Sequence, residues 1–105
     1  MRERFHVKIA RRAEIDLEEI WDYIAADSVE NATRFIVELE NRMKTLSYSA
    51  RRCSLIPENE ILGTRYRHLI IRKKYRVVFR ISRNTVYVLR AIHGARLLDT
   101  SMIEA

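Results

Sequence analysis

The stretch from Arg65 to Arg96 constrains this chain more than any other. It holds three runs of strand-forming residues, Tyr66–Ile71, Tyr75–Ile81 and Thr85–His93, divided only by polar turns at Lys73-Lys74 and Arg83-Asn84. A parallel connection needs a crossover of about a dozen residues or more, so turns this short admit only an antiparallel meander. Asn84 tolerates the left-handed backbone that a tight hairpin needs.

Taking Arg83-Asn84 as a two-residue loop sets the register. Ile81 then pairs with Val86, Phe79 with Val88, Val77 with Arg90 and Tyr75 with Ile92. That face is apolar except for Arg90 and should receive the rest of the core. The opposite face carries Arg76, Val78, Arg80, Tyr87, Leu89, Ala91 and His93. Arginine grips phosphate through paired N–H groups, and unpaired bases stack on aromatic and guanidinium planes. Each of these polar residues alone reads equally well as solvated strand charge; together they read as a binding surface. A three-residue turn would slip the register and change which side chains meet.

The preceding chain supplies what such a sheet must bury. Phe5, Val7 and Ile9 alternate with Arg4, His6 and Lys8, the pattern of a half-buried strand. Ala13, Leu17, Ile20, Trp21 and Ile24 then recur at spacings of three and four, predicting a helix over 12–26 with Trp21 as a core anchor. Glu14, Asp16, Glu18 and Glu19 are expected on its solvated side and show no metal-ligand spacing. Asp27 or Ser28 can cap a second helix from Val29 to about Leu46, striped by Ala32, Phe35, Ile36, Leu39, Met43 and Leu46. So short a link makes the helices an antiparallel hairpin closing over one sheet face. Residues 51–64, broken by Pro57 and Gly63, read as loop. In the tail, 97–105, the apolar residues Leu97, Leu98, Met102 and Ile103 could dock on the body, on a partner or on a second copy. The expectation is a single α+β domain: 1–10 strand, 11–50 helical hairpin, 51–64 loop, 65–96 meander, 97–105 tail.

Charge is divided unevenly. Residues 1–50 hold eight Lys/Arg against ten Asp/Glu, whereas 51–105 hold twelve against four. The positive field belongs to the sheet half and would gather anionic partners, nucleic acid or acidic protein segments. No apolar run approaches the ~20 residues of a membrane span, and the charged N-terminus is unlike an export signal. The single cysteine, Cys53, fits a cytoplasmic protein. Three scattered histidines and only two glycines suggest neither a metal site nor a phosphate-cradling loop, so no cofactor is expected.

The order of elements, with Ala13, Asp16, Leu17, Glu19, Ile20, Trp21, Tyr23 and Ile24 in the first helix, resembles the RelE/ParE toxin superfamily of type II toxin–antitoxin systems, which includes plasmid stabilisation proteins. Tyr75-Arg76-Val77-Val78-Phe79, Val86–Leu89 and His93-Gly94-Ala95-Arg96 continue the resemblance, which covers roughly residues 5–96. It implies a small cytoplasmic, growth-inhibiting toxin held inactive by a cognate antitoxin through an amphipathic, acidic segment. A homodimer or a toxin–antitoxin hetero-oligomer is compatible with it. RelE-like members are metal-independent mRNA endonucleases acting at the ribosome; ParE-like members block DNA gyrase. For the first activity the resemblance implies Arg76, His93 and Arg96 as catalytic residues. For target binding in either case it implies a surface of Arg67, Arg76, Arg80, Tyr87, His93 and Arg96. Leu69 stands where RelE-like nucleases can carry lysine, Met102 falls near the place of a catalytic tyrosine, and the His-Gly-Ala-Arg ending is ParE-like. The ParE-like reading is therefore favoured over the RelE-like one, with a non-toxic nucleic-acid-binding module as a further alternative.

Overall fold

The structure, a computed structural model, describes residues 3–103; Met1 and Arg2, and Glu104 and Ala105 of the expected tail, lie outside the described residues. Strand β1 (His6–Ile9) leads into α1 (Arg11–Ala25) and α2 (Val29–Lys44). A short α3 (Leu46–Ser49) and a 3-10 turn follow. The segment expected to be loop holds β2 (Ser54–Leu55) and α4 (Asn59–Leu62). Then come β3 (Arg67–Ile71), β4 (Tyr75–Ser82) and β5 (Thr85–His93), with a last 3-10 turn at Thr100–Met102.

The five strands form one sheet in the order β1-β5-β4-β3-β2. The meander is antiparallel as the turns require, but β1 runs parallel to β5. The whole helical hairpin lies between those two strands in sequence, which gives the chain length enough to return in the same direction. The helices cap locally. The Ser28 side chain accepts from the Asn31 N–H, so Ser28 rather than Asp27 is the α2 cap, and Glu30 instead pairs with Arg34 at 2.9 Å. At the β4–β5 turn Arg83, not Asn84, takes the positive φ of 56°.

The expected register holds from Ser82↔Thr85 to Phe79↔Val88 and then shifts. Leu89 is an extra residue, a β-bulge, and beyond it Val78 faces Arg90, Val77 faces Ala91, Arg76 faces Ile92 and Tyr75 faces His93. One extra residue inverts the alternation. Arg90 and Ile92, expected beneath the helices, therefore lie on the far face. Ala91 and His93, expected on the far face, lie on the helix side.

Each sheet face accordingly has its own core. On the helix side Ala13, Ile20, Phe35, Leu39, Met43 and Leu46 pack on Ile71, Val77, Phe79, Val86, Val88 and Ala91. On the far face a smaller cluster joins Val78 and Ile92 to Ile56, Leu98 and Met102. The tail thus docks on the chain's own body. Trp21 is not a core anchor: it is half-buried at the rim, with its Nε1 3.4 Å from the Thr33 Oγ1.

Candidate functional site

Arg76 sits at the centre of the face singled out from the sequence, but it is only 3% exposed. Both terminal nitrogens of its guanidinium meet the Glu58 carboxylate, and Nη2 also donates to the Arg96 carbonyl at 2.7 Å. Nη1 lies 3.3 Å from His68 Nδ1. Its Nε has no acceptor among the described residues. Glu58 comes from the start of α4, and its Oε2 accepts the Leu98 N–H at 2.8 Å. The Arg76 guanidinium holds the Glu58 carboxyl down at about 2, against the upward push of burial. Burial and then the neighbouring Arg76 charge lower the His68 pKa, which suits a neutral ring accepting from that arginine.

Arg90 forms a second buried pair on the same face. Its Nε and Nη2 donate to Asp16 of α1 at 2.7 and 3.0 Å, and Nη1 donates to the Met102 carbonyl at 2.8 Å. Asp16 also accepts the Ala91 N–H at 2.9 Å. That N–H is available because β1 ends opposite Val88, leaving the edge of β5 open beyond it. Asp16, expected in solvent, is thus 4% exposed and satisfies a strand edge. Both ion pairs hold the tail through main-chain atoms, at Arg96, Leu98 and Met102.

The remaining candidates separate. Arg67 faces the helix side, pairing with Phe79, and donates to the Cys53 and Arg51 carbonyls. Burial, partly offset by Arg67 and Arg42, raises the pKa of the Cys53 thiol and makes it a poor nucleophile. Arg80 and Tyr87 are neighbours on the far face, with the Arg80 Cζ 4.2 Å from the ring centroid. His93 and Arg96 do come together, in a shallow depression at the end of the sheet lined also by Lys74, Tyr75, Tyr23 and Glu19. The His93 ring packs edge-on against Tyr75 at 5.7 Å.

His93 Nδ1 accepts the Ala95 N–H at 3.2 Å. The neutral tautomer that this bond assigns carries its proton on Nε2. Gly94 between them fits for a steric reason: a Cβ there would stand 3.3 Å from the Lys74 carbonyl oxygen, to which the Gly94 N–H donates at 2.6 Å. Among the described residues no cluster of His, Cys, Asp and Glu could hold a metal ion, and no helix is long and apolar enough to cross a membrane.

The sequence pointed to Arg76, Arg80, Tyr87 and His93 as one surface. The structure divides them among a buried ion pair, an open cation–aromatic pair and a depression on the other side. Asp16, Glu58 and Arg90 were missed. The available signal was Arg90 itself, a charge on a face otherwise apolar, which demanded a carboxylate.

Comparison with curated proteins gives no match. Among solved structures the fold matches the chain described as "Chromosomal ParDE TA system from P. aeruginosa", with a TM-score of 0.70 and 23% identity over 85% of this chain and 95% of that one. The family profile described as the ParE toxin of the type II toxin–antitoxin system parDE matches residues 7–98. Nearly the whole of the described chain lies within that match, from the second residue of β1 to the buried Leu98, and the chain belongs to the ParE toxin family of type II toxin–antitoxin systems.

Proposed function

We propose that this protein acts in the cytoplasm as a ParE-type toxin that blocks DNA gyrase and is neutralised by a cognate antitoxin. The observation that carries the choice of target is the enclosure of Arg76. A nuclease that cleaves RNA without metal needs a cation free to meet the phosphorane and a base for the 2′-hydroxyl. Of the expected cations Arg76 is committed to Glu58 beneath the tail and only Arg96 stays exposed, while His93 Nδ1 is taken up by the Ala95 N–H. Both favour a toxin that binds its target over one that cuts RNA. An antitoxin segment has an apolar seat available beside α1, where Val7, Ile9, Leu17, Trp21 and Ile36 line a groove rimmed by Glu14, Glu18 and Glu40. Unlike the acidic segment that the resemblance implies, a segment seated there would carry basic residues flanking its apolar side chains.

The test is direct. Purified protein should inhibit supercoiling by gyrase and leave mRNA intact in a translating extract. Cleavage of mRNA at the ribosome with gyrase unaffected would overturn the reading in favour of the RelE-like alternative.

A further inference from the structure

Strand register places a row of side chains across the open half of the far sheet face. Lys8 of β1 lies beside Tyr87 of β5, and Tyr87 beside Arg80 of β4. Tyr66, next to Arg80 by continuation of the β3–β4 register, packs instead against the covered cluster with Leu62 and Ile103 and closes the row on that side. Cation, aromatic and cation thus alternate over three strands, roughly 10 Å at the usual ~4.8 Å strand spacing. His6 and Ser82 flank the row, and Arg83 stands at the adjoining turn. Lys8 and Arg83 are exposed, and Arg80, Tyr87 and Tyr66 are half-buried. Among the described residues Lys8, Arg80 and Arg83 form no ion pair.

We propose that this row is a docking surface for single-stranded DNA. The Arg80–Tyr87 stack offers planes on which unpaired bases lie, and Lys8 and Arg83 neutralise the phosphates beside them. A duplex hides its base faces, and among the described residues no helix or ribbon lies on this open half of the face to enter a groove. An acidic peptide would satisfy the charges but has no use for the planes. Stacking and phosphate neutralisation need no ribose 2′-hydroxyl, so a deoxy strand satisfies the row in full. The site goes beyond the gyrase reading and does not rest on it, because the assay that tests it contains neither gyrase nor ribosome.

Fluorescence anisotropy of labelled oligo(dT) tests the site. Arg80→Ala and Tyr87→Ala should each weaken binding about tenfold, the loss expected of a base–aromatic stack. Tyr87→Phe, which keeps the plane, should bind within about twofold of the parent. Lys8→Gln, at an exposed side chain that leaves the fold alone, should weaken binding about threefold and lower the salt slope by about 0.7. Arg51→Ala, the same loss of charge elsewhere, should leave binding nearly unchanged. Equal loss in Lys8→Gln and Arg51→Ala would overturn the site as general charge attraction. So would unchanged binding by a folded Tyr87→Ala, equal competition by polyglutamate, or tighter binding of oligo(U) or duplex.

Discussion

The two halves of the far sheet face use the same residue type in opposite ways. Past the Leu89 bulge, Arg76 and Arg90 are 3% and 2% exposed, each paired with a carboxylate brought from a distant element and roofed by the tail. Toward the Arg83 turn, Arg80 lies on Tyr87 with no carboxylate partner among the described residues. The difference is one of solvation. A guanidinium taken from water must find an anion and fill its remaining donors, so the covered half recruits Asp16, Glu58 and the tail's carbonyls. A guanidinium left at the surface needs only a face to rest on and stays available to a partner. Arginines on one strand pair, two residues of a kind by sequence, thus become framework on one side of the bulge and binding surface on the other.

The contrast can be broken most severely at Asp16. Asp16→Ala strands a buried Arg90 and the Ala91 N–H, and should cost about 3–5 kcal/mol of unfolding free energy in denaturant titrations. A loss no larger than that of a surface substitution would remove the distinction between the halves.

Glu58 sharpens it by pH. Its folded pKa, about 2, lies below the ordinary carboxylate value. Its contribution is therefore complete above the unfolded pKa of about 4.5 and is lost as pH falls toward 2. This loss amounts to about 3 kcal/mol if Glu58 alone is counted. Glu58→Gln should flatten the stability profile through that window, measured by urea midpoints between pH 5 and about 2. A profile unchanged by the substitution would mean that the Arg76 pair does not hold the fold.

The open half should respond least. Arg80→Ala removes a half-buried cation–π contact and should lower stability by about 1 kcal/mol, read as a small shift in Tm. A loss as large as that of Asp16→Ala would make Arg80 framework as well.

What the sequence disclosed follows the range of its signals. Alternation in the meander and three-four spacing in the helices are local, and they placed the strands, the hairpin and the register as far as Phe79↔Val88. The bulge carries no such signal: Leu89 is a strand former like its neighbours, and nothing in Leu-Arg-Ala announces an extra residue. Everything past it was therefore read one face out of phase, which put His93 on the same face as Arg80 and put Arg90 under the helices. Asp16 and Arg90, 74 residues apart, are joined only by the tertiary fold, and helical spacing assigned Asp16 to water. Residues 51–64 lacked periodicity because each element there is a turn or two long, too short to show one. The tail was legible as apolar but not as a roof, since what it covers is created by the bulge.

Leu89 also makes this strand forgiving in an unusual place. Excision of one residue from a strand covered on both faces ordinarily exchanges its two sides from that point onward. Here the partners on either side of Leu89, Phe79↔Val88 and Val78↔Arg90, are already those of an uninterrupted ladder. Removing Leu89 would close the gap without exchanging the sides, so Arg90 would still point away from the helices and Ala91 toward them. Along β5, a single-codon deletion has its safest landing there, and a gap between this protein and a relative falling at Leu89 would be no sign of a different fold.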